Sequence, residues 1–331
     1  MIYLLYFRDW NFAQELPICM NISFLTKNRT SKVLSDRRKK MHTLGWIGLG
    51  HMGTPMAKNL LQEDCKVNVY NRSPEKADAL VEAGAIQLQS PKEIVQQSDI
   101  IFMMLSNADA VKSVLTEENG VLEGIEPGKI LVDMSTISPE DSLSNAALVS
   151  ESGGVYLDAP VSGSVGAAVG RQLVILVGGD KSALEICQPY FDFIGKDTIH
   201  FGSNSQGSSA KLAINLLLGV IGQGVGETLL LAEKSGLDME KVLDMISFSA
   251  MNTPLFQGKK DMYRKGEYPS AFMLELMAKD LGLIKAEASR LETRLPLAEE
   301  AHNTYFSAKQ NGKGKLDMAA VYLELKDRNN L

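Results

Sequence analysis

Metal-ligating and redox-active side chains are scarce in this 331-residue chain, which has three cysteines and four histidines. Cys19, Cys65 and Cys187 lie far apart and match no zinc, redox or disulfide-framework spacing, so reduced thiols in a reducing compartment are expected. His42, His51, His200 and His302 form no i, i+4 pair and no cluster with the cysteines, and no metal site is expected. An excess of positive charge is also missing. The formal net charge of −6 argues against nucleic acid as a principal partner. No uninterrupted apolar run is long enough to span a membrane, because Lys211, Asn215, Gln223 and Glu227 break the most apolar stretch, 208–235. What remains is an ordinary globular composition, long enough for two domains at roughly 150 residues each.

The first forty residues differ from the rest. Arg8, Lys27, Arg29, Lys32, Arg37, Arg38, Lys39 and Lys40 face only Asp9, Glu15 and Asp36. An organelle presequence, a disordered tail and a non-native upstream start all fit this pattern; a secretory signal does not, for want of an apolar core and a small-residue cleavage site. Met41 opens a complete domain, so we expect residues 1–40 to be an extension and the fold to be cytoplasmic.

Most information lies just after Met41. An apolar strand ending near Ile47 runs into Gly48-Leu49-Gly50-His51-Met52-Gly53, followed by a helical stretch. In this setting each glycine of G-x-G-x-x-G has a physical task. The first permits the tight turn, the second lets backbone approach a pyrophosphate, and the third lets helix and strand pack. The free N–H groups of the helix N-terminus complete an anion site. A second strand, Lys66–Tyr70, ends about twenty residues on, where an adenosine ribose belongs. It is followed not by a carboxylate but by Asn71-Arg72-Ser73. A guanidinium with two small polar groups suits a 2′-phosphate, so NADPH is predicted over NADH, although Arg72 alone also reads as a solvated loop residue.

Strand candidates 85–88, 100–104, 130–134, 155–157 and 173–177 then alternate with helix-like stretches 74–83, 91–97 and 108–114. This is the β-α-β pattern of a parallel, doubly wound sheet. Ser73-Pro74 and Ser90-Pro91 each read as a capping serine before a proline inside the helix. Ligands of such sheets sit at the carboxyl ends of strands, so Leu105, Ser106 and Thr136 are expected to line the cofactor. The pattern changes near Gly207. Residues 208–235 read as one long helix, apolar around most of its circumference and hence buried on several sides or in a subunit interface. Helical stretches 239–247, 274–291 and 297–309 follow, giving a mostly α second domain that should carry a dimer contact. The domain expectation is 41–205 for the cofactor half and 206–331 for the helical half.

Within the long helix, Lys211 and Asn215 share one face. The lysine either snorkels at the rim or sits in a cleft, where desolvation would lower its pKa and make it a proton donor near neutrality. The loop Asp158-Ala-Pro-Val-Ser-Gly-Ser164 is either a turn of small residues or a cradle for a carboxylate. Lys279-Asp280, near Phe272, reads equally well as an exposed pair of little consequence.

Together these segments resemble the β-hydroxyacid dehydrogenase family, which includes 3-hydroxyisobutyrate dehydrogenase and the glyoxylate/succinic semialdehyde reductases. The resemblance runs from Leu44 to the C-terminus. It rests on Gly48–Leu60, Asp158–Gly163, Gly207–Asn215 and Lys279–Leu281. It implies a Rossmann-type doubly wound parallel sheet followed by an all-α domain entered through a long interdomain helix. By resemblance Lys211 is the catalytic lysine and Asn215 its polar partner. Ser162 and Gly163 form the carboxylate cradle, Thr136 lies near the nicotinamide and Lys279 contacts the cofactor. Phe272 and Asp280 match substrate-pocket positions of the glyoxylate reductase branch. One departure is Ser164, where many members have glycine. The expected function is NADPH-dependent reduction of glyoxylate or succinic semialdehyde. The alternatives are 3-hydroxyisobutyrate or tartronate semialdehyde chemistry with NAD(H), or a non-catalytic NADP-binding scaffold. A homodimer or homotetramer is expected, with a small aldehyde or hydroxy acid as substrate.

Overall fold

The computed structural model describes residues 42–330; the basic segment 1–40 lies outside the described residues. The chain opens with β1 (Leu44–Ile47), α1 (Gly53–Leu61), β2 (Val67–Tyr70), a 3-10 turn over Pro74–Ala77 leading into α2 (Asp78–Glu82), β3 (Ile86–Gln87), α3 (Pro91–Gln96), β4 (Ile100–Met103), α4 (Ala108–Thr116), β5 (Ile130–Asp133), α5 (Pro139–Glu151) and β6 (Val155–Asp158). These six strands pair in the order β3-β2-β1-β4-β5-β6, all parallel. That is the doubly wound dinucleotide-binding order, with its switch point between β1 and β4. Alternate side chains of each strand feed opposite cores. In β4, Ile100 and Phe102 join the cluster that holds Trp46 and Phe191, while Ile101 and Met103 join Val111, Leu131 and Val149 on the other face. Trp46 and Phe102 stack at 5.4 Å.

The sheet departs from the sequence reading after β6. β7 (Val161–Ser162), α6 (Val165–Val169), β8 (Leu173–Gly179), α7 (Lys181–Ile194) and β9 (Gly195–Gly202) form a mixed annex. β8 runs antiparallel to β6 and β7, because the link from Asp158 to Leu173 carries only β7 and a five-residue helix, too little for a parallel crossover. β9 pairs parallel with β8 at the edge. Its one alternating apolar pair, Ile199 and Phe201, is itself exposed, as are Lys196, Asp197 and His200, so its strand character comes from backbone pairing. Ser90 caps α3 by accepting from Glu93 N, but Ser73 makes no such bond, so only one of the two expected serine caps forms.

The helical half comprises α8 (Gln206–Lys234), α9 (Met239–Phe248), α10 (Pro254–Lys265), α11 (Leu274–Arg290), α12 (Pro296–Ala308) and α13 (Val321–Arg328). α8 has 29 residues, about 44 Å of helix. It packs against α11, α12 and α13 through a face of small residues. A Cβ at Gly222 would fall 2.5 Å from the Tyr305 hydroxyl oxygen, so only glycine lets α12 approach this closely. The expectation that α8 is covered on several sides is too broad for the single chain. Its inward face is buried, whereas Ile214, Leu217 (53% exposed) and Leu231 (70% exposed) lie on an open apolar stripe.

Candidate active site

The glycine turn behaves as its spacing predicts. Gly48 has φ +98°, and a Cβ there would lie 2.3 Å from the Met104 carbonyl oxygen; a Cβ at Gly53 would lie 2.1 Å from the Gly48 carbonyl oxygen. Gly50, by contrast, has nothing within 4 Å of where a Cβ would sit. The outer glycines therefore close the turn, and the middle one leaves open the approach that a pyrophosphate needs. Leu49 is buried, whereas Gly50 and His51 are exposed and Met52 is half-buried. No side chain among the described residues caps the N-terminus of α1; Thr54 N donates to the Gly50 carbonyl at 3.1 Å and Pro55 has no N–H, so Gly53 N is the first-turn donor left open to an anion. The donor set and the open space fit a dinucleotide.

At the end of β2 the three candidate residues divide their work. Asn71 Oδ1 accepts from Leu49 N at 2.9 Å, and its Nδ2 donates to the Ser73 carbonyl at 3.0 Å. Its side chain thus ties the glycine turn to the ribose loop. Arg72 is exposed beside it, and Ser73 is half-buried.

The other half of the site is assembled by α8 and α11. Lys211 is 9% exposed and Asn215 only 2%. Asn215 Nδ2 donates to Asp280 Oδ2 at 2.7 Å across 65 residues of sequence. The reading of Lys279-Asp280 as an exposed pair does not hold for Asp280, which is buried within α11. Its Oδ1 lies 3.1 Å from Lys279 Nζ. Lys279 Nζ in turn donates to the Thr136 carbonyl at 2.7 Å and to the Ser106 carbonyl at 3.3 Å. The helical half is therefore clamped onto the loops that follow β4 and β5. Among the described residues no hydrogen bond or ion pair ties the Lys211 ammonium. Burial pushes its pKa down to about 8; Asp280 opposes that fall and Lys279 reinforces it.

Ser162 ends β7, Gly163 and Ser164 link it to α6, and α8 packs on β7. Gly163 and Ser164 are exposed, and Gly163 has φ +144°. Asp158, at the head of this loop, serves the backbone: its two carboxylate oxygens accept from Ser205 N and Ser208 N, each at 2.8 Å, anchoring the start of α8 to β6. Phe272 precedes α11. Its backbone N–H donates to the buried Asp317 carboxylate at 3.0 Å, and Asp317 also pairs with Lys259 at 2.6 Å. The structure thus gathers Lys211, Asn215, Asp280, Lys279, Ser106 and Thr136 at one junction.

Sequence reasoning passed over three buried polar residues near the site: Asp133, Asn59 and Asp317. Asn59 of α1 donates to the Ala168 carbonyl at 2.8 Å, joining the coenzyme helix to the helix after the Ser162–Ser164 loop. Asp133 ends an otherwise apolar strand, and that position was the available signal.

Comparison with known proteins agrees with this arrangement. Residues 43–202 match the model for the NAD binding domain of 6-phosphogluconate dehydrogenase. Residues 205–325 match that for the NAD-binding region of NADP-dependent 3-hydroxyisobutyrate dehydrogenase. A glyoxylate/succinic semialdehyde reductase of Arabidopsis thaliana is 39% identical over 278 residues, 84% of this chain and 96% of the relative. The chain belongs to the β-hydroxyacid dehydrogenase family. It is therefore an oxidoreductase. Escherichia coli 2-hydroxy-3-oxopropionate reductase is 36% identical over 84% of this chain and 95% of its own length. The solved 3-hydroxyisobutyrate dehydrogenase of Mycobacterium tuberculosis superposes with TM-score 0.78 at 30% identity, covering 87% of this chain and all of that one.

Proposed function

We propose that this oxidoreductase uses NADPH to reduce small aldehyde acids, glyoxylate and succinic semialdehyde foremost, to the hydroxy acids. The observation that carries the reading is the Lys211 ammonium, buried and unpaired among the described residues beside the Asn215–Asp280 pair. A buried cation without a partner is costly unless a ligand completes its surroundings.

The turn from Gly48 through Leu49, Gly50, His51 and Met52 to Gly53 holds the pyrophosphate. Asn71 fixes the loop from which Arg72 and Ser73 take the 2′-phosphate. Leu105, Ser106 and Thr136 line the nicotinamide half, with Lys279 beside them. Bound coenzyme supplies hydride to the carbonyl carbon. Lys211 donates a hydrogen bond to the carbonyl oxygen and passes its proton there as negative charge develops. Asn215, held by Asp280, orients that oxygen, while Ser162, Gly163 and Ser164 anchor the carboxylate at the far end and Phe272 lines the pocket.

The test is to follow reduced-coenzyme absorbance, with NADPH or NADH against glyoxylate, succinic semialdehyde and tartronate semialdehyde, and with NADP+ or NAD+ against 3-hydroxyisobutyrate. Turnover of the first two with NADPH is expected. Preference for tartronate semialdehyde with NADH, or for 3-hydroxyisobutyrate with NAD+, would replace this reading, and coenzyme binding without turnover would make the chain a scaffold.

A homodimer fits the open stripe on α8, since an apolar face of this length is ordinarily covered. Leu217→Glu is expected to convert the dimer to monomer in light scattering, and an unchanged mass would reject that face. Two buried free thiols, Cys65 and Cys187, support a reducing, cytoplasmic setting, which microscopy of a C-terminally tagged full chain would check.

A further inference from the structure

The side chains closest in character to the chemistry are Lys211, Asn215, Lys279 and Asp280, yet another buried carboxylate lies beneath the same loops. Asp133 is the last residue of β5 and is 1% exposed. Strand ends in such sheets open toward the ligand crevice, and a carboxylate placed there is ordinarily solvated or in contact with ligand. This one is neither. Its Oδ1 accepts from Ser135 N at 2.9 Å and its Oδ2 from the Tyr156 hydroxyl at 2.9 Å.

The connection continues upward. Ser135 Oγ accepts from Leu105 N at 2.9 Å, so the residue whose backbone N–H binds Asp133 also receives the loop after β4. Leu105 belongs to the loop after β4, so one carboxylate organises both the β4 and the β5 loops. That β4 loop also bounds the glycine turn. Met104 N donates to the Ile47 carbonyl at 2.9 Å, and a Cβ at Gly48 would meet Leu105 Cδ2 at 2.9 Å. From the opposite side, Lys279 holds the Ser106 and Thr136 carbonyls. The two loops are thus fixed twice, by an ammonium from α11 above and by a carboxylate from β5 below.

We propose that Asp133, through Tyr156 and Ser135, is a positioning residue of the coenzyme site that sets the spacing of the Leu105–Ser106 and Ser135–Thr136 loops. It touches neither coenzyme nor substrate. The inference rests on the coenzyme reading given under Proposed function. A purely structural role would lower stability without a selective loss of coenzyme affinity, because other buried carboxylates, such as Glu324 in α13, do the former far from these loops.

The experiment compares full-length wild type, Asp133→Asn, Tyr156→Phe, Ser135→Ala and Glu324→Gln. NADPH and NADH are titrated by fluorescence at a temperature well below each variant's Tm, and the aldehyde KM is measured at saturating coenzyme. Asp133→Asn should weaken the preferred coenzyme about tenfold or more, and Tyr156→Phe and Ser135→Ala by about threefold or more, as expected for lost hydrogen bonds to a charged or buried group. The aldehyde KM should stay within about twofold, and Glu324→Gln should leave coenzyme affinity unchanged. Asp133→Asn with lowered Tm but wild-type coenzyme affinity would overturn the proposal. If that variant does not fold, wild-type affinity in both Tyr156→Phe and Ser135→Ala would overturn it equally. A wild type that binds neither coenzyme would defeat the underlying reading as well, a result separate from failure of Asp133 alone.

Discussion

On the coenzyme side of the cleft, shape comes from backbone: Gly48 and Gly53 clear space for carbonyl oxygens, and Asn71 spends its amide on main-chain groups. On the Lys211 side it comes from interior charge. Lys211, Asn215 and Asp280 are all buried on α8 and α11, and further buried carboxylates, Asp317 and Glu324, hold the helices around them. The first construction is made largely of uncharged groups and is tolerant of changes in ionisation. The second joins residues 65 positions apart through an amide and a buried carboxylate. One coenzyme frame of this kind can therefore serve many substrates, while the charged half decides what happens to a carbonyl placed against it.

The largest test of that contrast removes the Lys211 ammonium. Lys211→Met should lower the single-turnover rate of aldehyde reduction by about 10² to 10⁴ while NADPH binding persists, since general acid catalysis supplies about that much. Loss of binding alone would mean that the two halves are not separable. A second test uses acid. Burial raises the pKa of Glu324, but hydrogen bonds from Ser307, Asn311 and Lys313 outweigh it and hold the carboxyl at about 2. Its folded pKa lies below its unfolded one, so its contribution is complete above the ordinary carboxyl value of 4.5 and is lost as pH falls toward 2. That contribution is about 3 kcal/mol. Denaturant titrations between these pH values should show a loss of stability in wild type that is largely absent in Glu324→Gln. Equal losses in both would place acid lability elsewhere. The smallest effect belongs to the backbone-built side. Arg72→Ala should raise the KM for NADPH about tenfold, one charge-assisted contact, and leave that for NADH unchanged. An equal change in both would reject the phosphate role.

This division also explains what was legible in the sequence. Gly48, Gly50 and Gly53 announce their role because their spacing between a strand and a helix is itself the signature, even though Gly48 faces the Met104 carbonyl just past the neighbouring strand and Gly50 faces open space, and the parallel strands β1 to β6 follow from alternating apolar segments. Lys211 and Asn215 could be paired from helical spacing alone. The burial of Asp280, and the clamp that Lys279 makes on the Ser106 and Thr136 carbonyls, could not be read from spacing, because they depend on how α11 docks against loops more than 140 residues away. The antiparallel turn of β8 and the existence of β9 were hidden for another reason. They are set by a short connection and by edge pairing rather than by side-chain pattern.

The most direct measurement is the pH dependence of kcat for aldehyde reduction and hydroxy-acid oxidation at saturating coenzyme. With Lys211 held at about 8, reduction should decline as pH rises through that value, because the ammonium is lost, and oxidation should rise through the same value as the free amine forms. Both limbs should vanish in Lys211→Met. Rates that are flat from about pH 7 to 10 in both directions, or limbs that survive the substitution, would contradict the assignment of Lys211 as the proton donor.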